Sequence, residues 1–228
     1  MIGVGTSLLF GRKAGKAGPP IPPFNEAMVD AWFMSGLSNV DKPSSIRGVK
    51  GNEMQLKNFV FTSESGFGEG NYEGALVFDG VDDYGMCTGL PIMDDFTLIC
   101  KREILNTSPG YVANKGLGNA GAFHFESTIQ TSDSNSTTGV WSYGTGNRVK
   151  LEESEVSWMT KNSYNGIELK TGNLSDVDQL YLCRFSSSYT KAAIYYFALY
   201  DKSLTPEEVE EEKVKLENYW EGGKNELA

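Results

Sequence analysis

Residues 75–85, ALVFDGVDDYG, run from four apolar positions (Ala75, Leu76, Val77, Phe78) into an Asp79–Gly80 turn, with three acids, Asp79, Asp82 and Asp83, inside five residues. A short apolar run that stops at Asp–Gly reads as a buried strand meeting a sharp corner. Glycine and aspartate dominate such corners, and an aspartate carboxylate accepts hydrogen bonds from backbone N–H groups two residues on. The acids are therefore expected to be structural. A calcium ion would need about six to eight oxygen ligands, of which three acids and nearby carbonyls supply only part, and the EF-hand spacing is absent. A glycosidase pair would need two carboxylates roughly 5–9.5 Å apart across a cleft, which neighbours on one turn seldom provide. No metal or other cofactor is expected. Were a cation bound, Asp79, Asp82 and Asp83 would be its first candidates.

Outward from this corner, short strand-like segments dominate. Residues 27–36, 52–61, 75–80, 96–105, 122–130, 139–144, 155–172, 178–185 and 191–201 each alternate apolar and polar side chains or form a short buried run. Nine such segments, with turn residues between them, predict an all-β sandwich. Asn165–Gly166 lies between two β-rich flanks, and a two-residue type I′ turn needs positive φ at both central positions, so an antiparallel hairpin is predicted there. One short helix is predicted over 205–220. Thr205 is its N-cap, Pro206 its first-turn proline and Glu208 the acid of a capping box. Val209, Leu216 and Trp220 form its apolar face, with Lys213 at the intervening step.

The chain has 228 residues, enough to bury an ordinary core. Its net charge of −10 disfavours nucleic acid as a partner. Cys87, Cys100 and Cys183 have neither CxxC spacing nor an even count, so they read as small core residues. No stretch reaches the roughly 18 apolar residues of a membrane span. The apolar start, MIGVGTSLLF, lacks a basic segment ahead of it and does not read as an export signal. Residues 1–23 form a basic arm rich in glycine and proline, and residues 24–228 are read as one domain that includes the helix. An apolar segment on such an arm is expected to order against another chain, giving a homo-oligomer or an anchored subunit.

ALVFDGVDDYG, FTLICKREI (96–104), YNGIELKTG (164–172) and IYYFALYDKSLTPEEVEE (194–211) together resemble the laminin-G-like, concanavalin A-like lectin–glucanase jelly rolls in order and spacing. The resemblance implies an antiparallel β-sandwich jelly roll with a short C-terminal helix. Residues 30–68 look similar to the front half of uncharacterised proteins encoded by gut Bacteroidales and their phages. That second resemblance implies a phage or prophage virion component, made in the bacterial cytoplasm, whose arm contacts other virion proteins and whose loops contact a glycan, such as a cell-surface polysaccharide, or a protein. The alternative is an extracellular protein of a gut bacterium, either a glycoside hydrolase or a secreted carbohydrate-binding lectin. The Glu-x-Asp-x-x-Glu strand of the family's glucanases is missing, with LEESEV (151–156) the nearest stretch, and no P-loop, HExxH or Ser–His–Asp order occurs. The chain is therefore expected not to be an enzyme.

Saccharide rings stack on aromatic faces, and VWSYGTGN (140–147) sets Trp141 and Tyr143 on one side of a strand that runs into a glycine-rich loop. These two are the leading ligand-binding candidates, with a core position as the competing reading. Tyr111 and Tyr189 stand beside loops. His124, the sole histidine, alternates away from Phe123 and Phe125, so it faces either solvent or a cleft.

Overall fold

The structure, a computed structural model, describes residues 23–91, 96–105 and 178–224, together with the backbone of seven strand segments between 111 and 168. The early strands are β1 (Met28–Phe33), β2 (Ser45–Arg47), β3 (Glu53–Lys57), β4 (Gly66–Phe67), β5 (Leu76–Asp79), β6 (Tyr84–Cys87) and β7 (Thr97–Ile104). The middle of the chain supplies β8 (Tyr111–Lys115), β9 (Phe123–Glu126), β10 (Gln130–Ser132), β11 (Trp141–Tyr143), β12 (Glu155–Thr160), β13 (Ser163–Tyr164) and β14 (Ile167–Glu168). The end supplies β15 (Leu180–Leu182), β16 (Arg184–Phe185), β17 (Ser188–Tyr189), β18 (Lys191–Tyr200) and the helix α1 (Pro206–Lys224).

Two antiparallel eight-stranded sheets account for all but β16 and β17. Sheet A has the order β14-β13-β12-β7-β18-β5-β4, with β1 also paired to β18. Sheet B has the order β11-β10-β9-β8-β15-β6-β3-β2. One apolar cluster takes side chains from both sheets: Trp32, Phe78, Leu98, Ile194 and Phe197 from sheet A, and Met54, Leu56, Leu180 and Leu182 from sheet B. The opposite face of sheet A is covered by α1, where Val209, Leu216 and Trp220 join Ile99, Ala193, Tyr195 and Tyr200. Burying each of those three helix side chains is worth roughly 1.5–3 kcal/mol.

A strand covered on both faces needs apolar side chains throughout, and β18 is buried at every position after Lys191. Its register shifts between Ile194 and Tyr196. That bulge places Tyr195 and Tyr196 on the helix side together, so that Ile194 and Phe197 both stay in the inter-sheet core. The phenols are then satisfied from the helix. Tyr196 donates to Glu217 at 3.1 Å, and Tyr200 donates to the buried Glu212 at 3.1 Å. Lys101 on β7 bonds Glu217 at 2.9 Å and lies 3.9 Å from the Trp220 ring centroid.

The capping box forms as expected, with the Thr205 N–H donating to Glu208 at 2.8 Å and the Glu208 N–H to the Thr205 hydroxyl at 3.2 Å. At the intervening helical step the structure differs from the sequence reading. Glu212 occupies the buried position because Tyr200 and Lys215 both supply donors to it, whereas Lys213 turns outward and pairs with Glu210. The Asn165–Gly166 hairpin is present in the pairing, Tyr164 opposite Ile167 and Ser163 opposite Glu168, while the two turn residues lie outside the described residues. The arm, residues 1–23, also lies outside them except for Pro23. No described helix is long and apolar enough to cross a membrane.

Candidate functional site

The opening corner joins the two sheets: β5 ends in sheet A at Asp79, and β6 begins in sheet B at Tyr84. Asp79 organises the crossing. Its Oδ1 accepts the Val81 N–H at 2.8 Å, the Asp82 N–H at 3.3 Å and the Asp83 N–H at 3.4 Å. Asp83 closes the loop from the far side, its Oδ2 accepting the Asp79 N–H at 3.1 Å. Gly80 has φ +78°, and a β-carbon there would press on the Lys191 backbone, so the turn requires glycine. Asp82 is exposed and Asp83 fully buried, and one ligand atom from each of the three acids lies within 4.8 Å of the other two. Burial pushes the Asp83 carboxyl up to about 6, against the pull of Ser65 and the Asp79 N–H, with the charges of Asp79 and Asp82 adding to the rise.

The second feature is the face of sheet B turned away from the core. Directly opposed residues on neighbouring antiparallel strands share a face, so the backbone register identifies each row. One row runs across all eight strands: Tyr143, Gln130, His124, Asn114, Tyr181, Met86, Gln55 and Ser45. The adjacent row through Phe125, Ala113, Leu182, Gly85 and Leu56 is the core-facing one, since Leu182 and Leu56 belong to the inter-sheet cluster. Trp141 pairs with Ser132, two residues from Gln130, and Tyr111 pairs with Glu126, two residues from His124, so both positions belong to the outer face as well. Four of the five sequence-selected residues, Trp141, Tyr143, His124 and Tyr111, thus occupy one face of one sheet by register. Their side chains lie outside the described residues.

The fifth, Tyr189, reaches the same face from the β16–β17 hairpin. Its ring centroid is 6.3 Å from that of Tyr84, which in turn is 6.4 Å from Tyr181. Arg184, the β16 residue paired with Tyr189, lies over all three rings, at 4.5 Å from the Tyr84 centroid and 5.8 Å from those of Tyr181 and Tyr189. The Arg184 Nε donates to the Ser186 carbonyl at 3.1 Å. Tyr181 is 5 % exposed, and its phenol donates to Gln179 at 2.7 Å. Burial pushes that phenol up, and Arg184 works against the rise. Sequence reading missed Tyr84, Tyr181 and Arg184. The alternation in LYLCRF does put Tyr181 opposite Leu180 and Leu182, but nothing local brings Tyr84 or Tyr189 to it.

By register Glu126 on β9 belongs to this face, and so does Glu53 on β3, whose side chain is described. Glu53 pairs with Arg47 at 3.7 Å and accepts the Ser45 hydroxyl at 2.7 Å. The three cysteines are free and buried, and burial pushes Cys87 up to about 11 and Cys100 up to about 12. Thiols in that state are poor nucleophiles.

No family model matches the chain, and no curated protein matches it. Solved structures do. A Trypanosoma rangeli sialidase in complex with 2,3-difluoro-KDN superposes with a TM-score of 0.52 at 15 % identity, over 90 % of this chain and 37 % of the sialidase. The ligand binding domain of Botulinum neurotoxin serotype D in complex with N-acetylneuraminic acid superposes with a TM-score of 0.51 at 10 % identity, over 86 % of this chain and 54 % of that domain. The chain therefore spans a little over a third of the one and about half of the other. At these identities the likeness is one of fold: a mostly β chain of antiparallel sheets, which this protein closes with a single C-terminal helix.

Proposed function

We propose that this chain is a non-catalytic carbohydrate-binding domain whose recognition surface is the outer face of sheet B. The observation that carries the reading is the continuous row from Tyr143 to Ser45, in which Tyr143, His124 and Tyr181 alternate with the amides Gln130 and Asn114 before the row continues through Met86, Gln55 and Ser45. Aromatic faces pack on the apolar faces of sugar rings, and amides meet hydroxyls as both donors and acceptors. Two similar folds that were solved with sugars bound accord with it. We read the architecture as a concanavalin A-like jelly-roll sandwich. Its support is the pairing of the first strand, β1, with the last, β18, and the single core between the sheets.

The test is a saccharide array followed by titration of the best binders. Trp141→Ala and Tyr143→Ala are each expected to weaken binding at least tenfold, about 1.4 kcal/mol, with the melting midpoint unchanged. A chain that binds no saccharide, or binds with indifference to both substitutions, would sink the proposal.

The setting we propose is a phage particle, in which the arm anchors the domain and the sheet B face meets a glycan. Phe24 stacks on Phe33 at 6.5 Å and meets Tyr219 edge-on at 6.2 Å, so that residue belongs to the folded unit. A chain beginning at Phe24 is expected to melt within a few degrees of the full-length protein and to be monomeric in light scattering, whereas the full-length protein associates. Identical monomers in both cases would overturn the anchoring role and favour the secreted lectin instead.

A further inference from the structure

Resting on the carbohydrate reading, we propose that the Arg184–Tyr84–Tyr189 cluster is a subsite for the carboxylate of an acidic sugar, a uronic or sialic acid residue of the bound glycan. The cluster is made of donors. Arg184 uses its Nε on the Ser186 carbonyl, and among the described residues neither of its two terminal nitrogens meets an acceptor and no carboxylate pairs with it. The phenols of Tyr84 and Tyr189, both half-buried, likewise have no hydrogen-bond partner among the described residues. A guanidinium held over tyrosine rings and anchored through its Nε is preorganised, so less rotamer freedom remains to be lost when a ligand arrives. Its terminal N–H groups match the two oxygens of a planar carboxylate, and the flanking phenols can donate to the same group.

The rest of the chain sharpens the contrast. With a net charge of −10, the protein surface repels anions in general, so an arginine with no carboxylate partner among the described residues, on the proposed recognition face, marks a site for one anion and not a basic patch. Tyr181 supports the cluster from beneath, because its phenol is already committed to Gln179 and its ring lies under Arg184. The β16–β17 hairpin, which carries both Arg184 and Tyr189, holds the site over Tyr181 in the middle of the Tyr143–Ser45 row, where a sugar lying along the row would present a ring substituent.

The experiment uses the full-length chain and matched saccharide pairs: uronic-acid oligosaccharides with their carboxyl-reduced forms, and N-acetylneuraminic acid-terminated lactose with lactose. At least one acidic member is expected to bind tenfold or more tightly than its neutral partner, with a preference that shrinks between about 50 and 500 mM salt. Arg184→Gln is expected to bring the pair within about threefold of each other. Tyr84→Phe and Tyr189→Phe, which keep the rings and remove only the hydroxyls, are expected to reduce the preference by part of that factor. Equal binding of acidic and neutral partners, or a preference that survives Arg184→Gln in a folded variant, overturns the subsite and leaves the carbohydrate reading standing. Binding to no member of any pair overturns both.

Discussion

Asp30→Ala is expected to destabilise the protein by about 3–5 kcal/mol, more than any surface change discussed above. Asp30 is fully buried on β1, yet its carboxylate has four donors: the N–H of Ala31 at 2.8 Å, of Lys50 at 2.8 Å and of Asn52 at 2.7 Å, and the Asn52 side-chain amide at 2.9 Å. Hydrogen bonds to a charged group are worth about 1.5–3 kcal/mol each, do not add fully, and leave costly orphan donors when the acceptor is removed. The carboxylate pins the β2–β3 turn onto β1. Gly48 allows the approach, since a β-carbon at that position would overlap the Asp30 carboxylate. Asn52 continues the brace by accepting the Trp32 indole N–H on its carbonyl at 3.1 Å. For a chain of this size the loss corresponds to a fall of roughly 10 °C in the melting midpoint. Asp30→Asn keeps one acceptor and is expected to cost less. Amide exchange at Lys50 and Asn52 should accelerate in both variants, and a loss below about 1 kcal/mol for Asp30→Ala would refute the bracing role.

Asp30 also shows where sequence reading reaches its limit. In AMVDAWF it occupies a polar slot in an alternating strand, the signature of a solvent-facing position, and only the long-range arrival of residues 48–52 makes its burial affordable. Local signals were legible. The Asn165–Gly166 hairpin, the Thr205 capping box, the long runs of β7 and β18 and the Asp79–Gly80 corner each depend on residues within a few positions of one another. What could not be read were features set by register between distant strands. The bulge in β18 brings Tyr195 and Tyr196 to one face, against simple alternation. Short strands such as β2, β4 and β6 have too few residues to show a period. The same distinction governs the candidate site. Alternation selected Trp141, Tyr143 and His124, but their placement on one face with Tyr181 follows from four separate strand pairings, and Arg184 meets Tyr84 across a hundred residues of chain.

Replacing Asp83 by asparagine is expected to reverse part of the protein's pH dependence. The folded-state pKa of this carboxyl is raised from 3.8 to about 6, chiefly by burial. A raised folded pKa means that the native state holds the proton more tightly than the unfolded chain does. The resulting stabilisation is fully present below about pH 4 and is lost as the pH rises through 6. The buried Oδ1 of Asp83 has no hydrogen-bond donor, and that is the oxygen best able to carry the proton. A rise from 3.8 to about 6 corresponds to at most ~3 kcal/mol, and the exposed Asp82 beside it admits enough solvent screening to reduce this to ~2 kcal/mol. Between pH 4 and pH 8, Asp83→Asn should therefore gain ~2 kcal/mol relative to the wild type, whatever fixed packing difference the amide introduces. Denaturant unfolding of both proteins across that range measures it, and a constant difference would show that the corner is not the titrating element. Calcium supplies the second arm. Asp79 Oδ1 and Asp83 Oδ2 already accept backbone donors, so EDTA is expected to leave the wild-type midpoint unchanged at pH 8. A rise of several degrees on adding calcium, absent in Asp83→Asn, would instead make the corner a cation site, with the ion in the role that the proton plays at low pH.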